Sequence, residues 1–150
     1  MIITGGAARG IRLKIRKSDT IRPAMGRMRE AVFSSLGPGI IESEFLDLYA
    51  GSGAYGLEAL SRGASGGVFI EKDHRTFGYL HENISSVCKS LGLKQSPCDV
   101  IEMDVFKWIP INKQRFDFIF VDPPYDIINK RMELIFALGQ SCLSNKASSR

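Results

Sequence analysis

The chain has 150 residues, 44% of them hydrophobic and 24% charged, which suits one globular domain with a buried core and excludes a disordered or fibrous chain. With no run of about 18 apolar residues and no secretory signal, the sequence predicts a cytoplasmic protein rather than a membrane or secreted one. Its three cysteines have neither disulfide-framework nor zinc-knuckle spacing, so we expect free thiols.

The formal net charge of +4 is concentrated at the amino terminus. Residues 1–30 carry eight Lys and Arg against two acidic residues, a balance of +6, so the rest of the chain sums to −2. These cations are Arg9, Arg12, Lys14, Arg16, Lys17, Arg22, Arg27 and Arg29. Clustered cations suit a polyanion such as nucleic acid, but they also occur on solvated tails. Charge alone leaves both interpretations open.

A strand and a helix are predicted in residues 1–40, which we call the amino-terminal arm. Within residues 2–17, apolar and basic residues alternate with the period of a half-exposed strand. The apolar side contains Ile11, Leu13 and Ile15, and the basic side contains Arg12, Lys14 and Arg16. After Pro23, apolar residues recur at helical spacing as far as Leu36, and a Gly-Pro-Gly sequence then ends the predicted helix.

From Phe45 onward, short apolar runs alternate with amphipathic helices, the pattern of a parallel sheet with crossover helices. Strands are predicted at residues 45–48, 67–70, 100–103 and 116–121. The clearest helix has its apolar residues at helical spacing from Phe77 to Leu91, with Asp73 as N-cap and Gly92 just past its end. A last helix is predicted at residues 129–143. We therefore expect an α/β domain over residues 41–150.

The first candidate binding motif is the glycine-rich segment after the first strand. Residues 51–56 fit the pattern G-x-G-x-x-G, which lets backbone N–H groups approach a ligand at a strand end. Asp47 lies four residues earlier, where its charge would repel a pyrophosphate and attract an ammonium. That favours S-adenosylmethionine, which carries an α-amino group and a sulfonium, over a glycine turn with a capping Asp. The candidate cofactor residues here are Asp47, Gly51, Ser52 and Gly53.

Acidic residues also follow the second and third strands. Glu71 can accept hydrogen bonds from both ribose hydroxyls of such a cofactor. Asp104, with the backbone of Val105 beside it, can accept from an adenine amino group. Each acid alone is a weak signal, because surface acids at strand ends are common. Together with Asp47 they predict one wall of a cofactor pocket.

The fourth predicted strand runs directly into Asp122, Pro123, Pro124 and Tyr125. Prolines donate no N–H, so the neighbouring carbonyls remain free acceptors. If Asp122 and the Pro123 carbonyl accept the hydrogens of an exocyclic base amine, the lone pair of the amine nitrogen is aimed at the sulfonium methyl. Tyr125 can stack on the base, an interaction worth roughly 1–3 kcal/mol. Alignment then lowers the barrier without a metal or a strong base. The alternative is a strand ended by a Pro-Pro turn with an incidental Tyr.

Together these motifs resemble the ribosomal RNA small subunit methyltransferase D family. The resemblance covers nearly all of residues 3–140 and also rests on Gly5-Gly6, Arg9-Gly10, Arg22-Pro23, residues 29–33 and residues 69–73. It implies a Rossmann-like sheet with helices on both faces, S-adenosylmethionine as donor, and methylation of the N2 amine of one guanine in 16S rRNA. The implied partner is 16S rRNA or the assembling small ribosomal subunit, bound by a cytoplasmic monomer without a metal. The arm would face RNA through Arg9, Arg12, Lys14, Arg22, Arg27 and Arg29.

The family continues through further strands after the last predicted helix, whereas this sequence stops at Arg150. We therefore expect a truncated member whose fourth strand lacks a neighbour. Three alternatives remain: methylation of adenine N6 or cytosine N4 in DNA, an inactive RNA-binding remnant, and a nicotinamide-dependent oxidoreductase. The short chain has no segment for DNA target recognition, and Asp47 with the Pro-Pro turn disfavours a nicotinamide site.

Overall fold

The computed structural model describes residues 1–17, 23–123 and 125–144, with the backbone alone for residues 23 and 125–131. The strands are β1 (Glu44–Leu48), β2 (Gly66–Glu71), β3 (Cys98–Glu102) and β4 (Phe118–Val121). They are parallel and form one sheet in the order β3-β2-β1-β4. The predicted α/β fold is confirmed, and each strand lies within two residues of its predicted bounds.

Five α-helices are present in the described part of the chain: α1 (Pro23–Leu36), α2 (Ala54–Ser61), α3 (His74–Ser90), α4 (Val105–Trp108) and α5 (Tyr125–Gln140). Short 3-10 turns follow α1 at Gly37–Ile40 and α4 at Ile109–Ile111. The predicted caps of α3 are confirmed, because the Asp73 carboxylate accepts from the Thr76 amide and Gly92 has a φ of +72°. None of these described helices is both long and apolar enough to cross a membrane.

The amino end of β4 and the carboxyl end of α5 differ from their predicted positions for one reason. The amide of Phe116 donates to the Cys142 carbonyl at 2.8 Å, and the Ser144 amide donates to the Phe116 carbonyl at 2.7 Å. Phe116 therefore pairs with the segment after α5 instead of extending β4, and α5 ends at Gln140 to let the chain turn back. Among the described residues, β4 pairs with β1 alone and is an edge strand of the sheet.

Residues 2–17 do not form the predicted strand. The arm instead folds into a short hairpin with a single antiparallel bridge between Ile2 and Arg12. Gly6 and Gly10 have φ angles of +80° and +90°, so the chain turns where a strand would need extended backbone. The predicted alternation of side chains is kept nevertheless, because Leu13 is buried while Arg12 and Lys14 are exposed.

The core lies on both faces of the sheet. Alternate residues of β1 point to opposite sides, with Phe45 on one face and Leu46 and Leu48 on the other. The Phe45 side is covered by residues of the arm, α2 and α3, and the opposite side by residues of α4 and the end of α5. Buried apolar residues of the arm belong to the same cluster as the sheet; they are Ile3, Ala8, Leu13, Phe33 and Ile40. The predicted helices on both faces are confirmed, and the arm shares the core of the sheet. Cys88, Cys98 and Cys142 are free thiols, as predicted.

Candidate functional site

Four carboxylates follow or end the strands at the carboxyl end of the sheet. In the order of the strands they are Asp104, Glu71, Asp47 and Asp122. Parallel strands all end on the same side, which is where open α/β sheets bind their ligands. The structure therefore places the predicted cofactor acids and the first residue of the Asp-Pro-Pro-Tyr motif along one side of the sheet.

The glycine loop after β1 is shaped by backbone that only glycine adopts easily. Gly51 and Gly53 have φ angles of +58° and +85°. A Cβ at Gly53 would lie 2.5 Å from Leu80 Cδ1, so a larger residue at this position would have to displace the buried Leu80. Gly53 is also the N-cap of α2. At Gly51 and Gly53 the loop therefore carries no side chain between the sheet and a ligand at its carboxyl end.

Glu71 fastens this loop to β2. One carboxylate oxygen accepts from the Gly51 amide at 2.9 Å, and the other accepts from the Asp73 amide at 2.9 Å. Each carboxylate oxygen has a further lone pair, so both can still accept from a ligand hydroxyl. Sequence reasoning predicted Glu71 as a ligand residue and missed its role in shaping the loop.

Asp47 supports the loop from beneath. It is 4% exposed, and its carboxylate accepts from the Gly56 amide in the first turn of α2 at 3.0 Å. Burial raises the pKa of Asp47 well above its usual value; the Gly56 hydrogen bond lowers it, and the charges of Asp122 and Glu71 raise it further. Among the described residues, no Lys or Arg forms an ion pair with these three acids. A ligand carrying positive charge is favoured at this point.

Asp104 has a structural role that the sequence did not predict. Its carboxylate accepts from the Phe106 amide at 2.8 Å and so caps the short helix α4. The second oxygen lies 4.0 Å from Lys72 Nζ. Val105 begins α4 and is buried. One oxygen of Asp104 therefore caps α4 and the other faces Lys72, while the side chain stays about one-third exposed.

Asp122 directly follows β4 and is exposed, whereas Pro123 is buried. Nearby protein atoms partly desolvate the Asp122 carboxyl and raise its pKa. Tyr125 begins α5, while its side chain and Pro124 lie outside the described residues. Of the Asp-Pro-Pro-Tyr motif, the side chains of Asp122 and Pro123 alone are described.

Tyr55, inside the glycine-rich segment, packs against β4 and α1, which sequence reasoning missed. Burial raises the pKa of Tyr55, the charges of Asp122 and Asp47 raise it further, and the charge of Arg29 lowers it. Its ring lies 5.7 Å from that of Phe120 in β4 and 6.2 Å from that of Phe33 in α1. An aromatic residue inside the G-x-G-x-x-G segment was the available signal.

One predicted RNA contact is wrong. Arg29 is 2% exposed, because α1 turns this residue toward α2 and away from solvent. Its Nε donates to Glu58 at 3.0 Å, and its Nη2 donates to the Ile2 carbonyl. A buried guanidinium needs a paired acid, and Glu58, itself fully buried, supplies it. Arg29 joins the arm to the core and is not available to RNA.

The other predicted RNA residues differ in their surroundings. Arg9, Arg12 and Arg27 are exposed. Lys14 is exposed as well, but its Nζ lies 3.1 Å from the Glu82 carboxylate. Arg22 lies outside the described residues.

Glu58 is the acid that joins the arm to α2. It accepts from the Thr4 amide, the Thr4 hydroxyl, the Gly5 amide, Arg29 Nε and Arg62 Nε at 2.8–3.0 Å. Burial raises the pKa of Glu58, but the hydrogen bonds from Thr4, Arg62 and Arg29 outweigh it and leave the pKa below its usual value. A lone acid among the apolar residues of α2 was the sequence signal for this network.

The carboxyl end of the sheet is the best candidate site in the described part of the chain. A cavity of about 390 Å³ lies elsewhere, between α3 and the loop that follows it, and none of the four strand-end acids lines it. No group of three or more His, Cys, Asp or Glu among the described residues is arranged to hold a metal ion.

Known proteins resemble this chain in sequence and in fold. A family model described as "Conserved hypothetical protein 95" matches residues 1–148. The chain is 31% identical over 136 residues to the ribosomal RNA small subunit methyltransferase D of Buchnera aphidicola from Acyrthosiphon pisum, covering 89% of this chain and 68% of the relative. The chain belongs to this methyltransferase family. The resemblance predicted from the sequence is confirmed.

The Escherichia coli K12 member of the family is 37% identical over 123 residues, which cover 82% of this chain. The match spans only 59% of that relative's length. Among solved structures, the proposed methyltransferase yhhF of Escherichia coli superposes with a TM-score of 0.80 at 31% identity, covering 95% of this chain and 73% of that one. A more distant methyltransferase, solved with S-adenosylhomocysteine, has a TM-score of 0.67 at 17% identity and shares the fold.

Proposed function

We propose that this protein transfers a methyl group from S-adenosylmethionine to the exocyclic N2 amine of a guanine in 16S rRNA. The observation that carries the proposal is the row of strand-end carboxylates around the glycine loop, with Asp122 at its exposed end. Membership of a methyltransferase family supports the reaction class. The names of the relatives support ribosomal RNA as the substrate.

The residues present fit S-adenosylmethionine. When bound, it supplies an electrophilic methyl group on a positively charged sulfur. Asp47 and Glu71 offer negative charge that no described Lys or Arg neutralises, and Gly51 with Gly53 leaves room for the methionine end. Glu71 would accept from the ribose hydroxyls. Asp104 would accept from the adenine amine beside Val105.

On the substrate side, Asp122 and the Pro123 carbonyl would accept the two hydrogens of the guanine amine and orient its lone pair. Asp122 would then hold the proton that the nitrogen loses on methylation. Tyr125 is proposed to stack on the base, as the motif predicts. Because the ionised Asp122 is the stronger acceptor and the group that takes up the proton, and because partial desolvation raises its pKa, turnover should fall in acid at a higher pH than an ordinary carboxyl would cause.

The arm is proposed to hold the RNA. Its exposed cations Arg9, Arg12, Lys14 and Arg27 can contact phosphates, and Arg22 is proposed with them on its sequence alone. Residues 1–40 would then be the RNA-facing part and residues 41–150 the methyltransferase part of the protein. A cytoplasmic location accompanies this substrate.

Methylation assays test the proposal directly. Label from S-adenosylmethionine should enter small ribosomal subunits or their rRNA as N2-methylguanosine, identified by mass spectrometry after nuclease digestion. Label that enters duplex DNA only, as N6-methyladenine or N4-methylcytosine, would contradict it. RNA binding without any detectable S-adenosylmethionine binding by calorimetry would instead indicate an inactive RNA-binding protein.

We expect the double variant Arg9→Ala/Arg12→Ala to bind small-subunit RNA more weakly and with a flatter dependence on salt. Each lost phosphate contact means that fewer counterions are released when RNA binds, so the magnitude of the slope of log K against log salt should decrease by roughly one to two. Titrations between low and physiological salt measure it. Lys113→Ala/Arg115→Ala removes the same charge from exposed residues near the amino end of β4 and should leave the slope unchanged. Equal slopes for both variants would argue against RNA binding by the arm.

We expect Asp47→Asn to stabilise the free protein at pH 7 while weakening cofactor binding about tenfold. The Asn oxygen can still accept from the Gly56 amide, but the buried charge is gone. Since burial raises the pKa of Asp47, the unmodified protein loses stability as pH rises, and the difference between the two should vanish toward about pH 4. Thermal unfolding at both pH values and calorimetry with S-adenosylhomocysteine measure this. Asp99→Asn, an exposed acid in β3, is the control. Undiminished cofactor affinity would refute the role of the charge.

A further inference from the structure

We propose that Asn83 is a positioning residue that couples the arm to the glycine loop, so that the cofactor and the ribosomal substrate each strengthen binding of the other. The inference rests on the proposed function and adds an energetic connection between its two sites. Asn83 lies on α3 and is 1% exposed. It is outside the residues assigned to either ligand.

The side-chain amide of Asn83 joins two segments that are far apart in sequence. Its Oδ1 accepts from the Lys14 amide at 2.7 Å, and its Nδ2 donates to the Lys14 carbonyl at 2.9 Å. The same Nδ2 donates to the Ser52 carbonyl at 2.9 Å. A carboxamide has two N–H donors, and both are used here. One buried side chain therefore bonds to both the amide and the carbonyl of Lys14 in the arm and, at the same time, to the glycine loop.

Further contacts support this connection, and they join the arm to the unit formed by the glycine loop and helix α2. The Ser52 hydroxyl donates to Met1 Sδ at 3.5 Å, next to the Asn83 bonds. At the other end of α2, the Ala7 and Ala8 amides donate to the carbonyl and hydroxyl of Ser61 at 2.8 and 2.9 Å. The arm therefore contacts this unit at both ends, at Ser52 in the loop and at Ser61 in α2. Asn83 lies at the loop end, beside the proposed cofactor site.

The position of Lys14 in the arm gives this connection a consequence for RNA. Lys14 follows Arg12, an exposed cation, by two residues, and its own backbone is fixed by Asn83. A cofactor that immobilises the Ser52 carbonyl also immobilises Asn83 and, through it, the arm backbone. RNA that holds the arm acts on the loop in the reverse direction. Thermodynamic linkage requires the two effects to be equal in size.

The test is a coupling measurement with S-adenosylhomocysteine, which cannot react, and small ribosomal subunits from a strain lacking the corresponding methyltransferase. Equilibrium dialysis gives the S-adenosylhomocysteine Kd with and without saturating subunits. For the unmodified chain we expect subunits to lower this Kd about fivefold or more, within the usual range of coupling. For Asn83→Ala the ratio of the two Kd values should fall to about one, even if each separate affinity decreases.

A matched control is available on the same helix. Glu82→Ala removes the exposed ion pair with the Lys14 side chain but leaves the bonds between Asn83 and the Lys14 backbone. It should keep the full coupling ratio. A merely structural Asn83 would weaken both separate affinities in its variant and leave the ratio unchanged, which would overturn the proposal.

A measurement on the unmodified chain covers the case in which Asn83→Ala does not fold. Adding S-adenosylhomocysteine should slow amide hydrogen exchange in residues 12–16, which include the Lys14 amide bonded to Asn83. Unchanged exchange there, despite saturation, would overturn the inference. Binding of both ligands without coupling refutes this inference alone, whereas failure of the unmodified chain to bind either ligand refutes the proposed function as well.

Discussion

Replacing Asp122 with Ala is expected to lower turnover at least about a hundredfold while S-adenosylmethionine affinity stays within about twofold. Asp122 follows β4 at the exposed end of the row of acids and is assigned to the acceptor amine. Removing it leaves the glycine loop and its Glu71 contact in place, so the cofactor part of the site should persist. Single-turnover methylation and calorimetry measure the two quantities separately.

Two further variants sharpen this experiment. Asp99→Ala removes an exposed acid from β3 and should leave both turnover and binding unchanged. Asp122→Asn keeps one acceptor oxygen but cannot ionise, so its residual activity should lose the acid-side fall in turnover that the raised pKa of Asp122 gives the unmodified enzyme. An Asp122→Ala protein that loses cofactor affinity would move this residue into the cofactor site and refute the assignment.

Replacing Glu58 with Ala is expected to cost about 3–5 kcal/mol of folding free energy, because it leaves the Arg29 guanidinium buried without its acid. Domains have only about 5–15 kcal/mol to lose, so the melting temperature should fall by about 10 °C or more. Since hydrogen bonds lower the pKa of Glu58, its contribution is present above about pH 4 and is lost as pH falls further. The difference between the two proteins should therefore shrink in acid.

Glu82→Ala is again the matched control, because its ion pair with Lys14 has both side chains more than half exposed. Such pairs contribute at most about 1 kcal/mol, so chemical denaturation should barely distinguish this variant from the unmodified protein. A Glu58→Ala protein that is equally stable would show that solvent or another group compensates Arg29. It would also show that the Glu58 carboxylate is not what makes the burial of Arg29 tolerable.

The charge of the arm illustrates where sequence reasoning fails. Eight cations in residues 1–30 predict a basic surface, and sequence spacing alone cannot tell which of them point outward. Arg29 occupies a helical position beside Phe33 and is drawn into the core by Glu58, which lies 29 residues later. A buried ion pair between distant residues leaves no local pattern, because either partner alone looks like an ordinary surface charge.

The hairpin of the arm is a second example. Alternating residues correctly predicted that Leu13 is buried and its basic neighbours are exposed. They could not show that the backbone pairs with itself and with α2 instead of joining the sheet. Gly6 lies against α2, where a Cβ would come within 2.1 Å of the Ser61 carbonyl oxygen, and the sequence around Gly6 does not show this close approach.

The sequence by itself determined the four strands of the sheet, helices α1 and α3 with the caps of α3, the glycine loop and the acids at the strand ends, because periodicity, capping and turn chemistry are local properties of the chain. Only the tertiary structure decided what those acids do within the fold. Asp47 supports α2, Glu71 closes the loop, and Asp104 caps α4. It also decided that Asn83 joins the arm to the loop. These roles depend on hydrogen-bond partners brought together by the parallel sheet, and distance in space is not encoded in the spacing of residues along the chain.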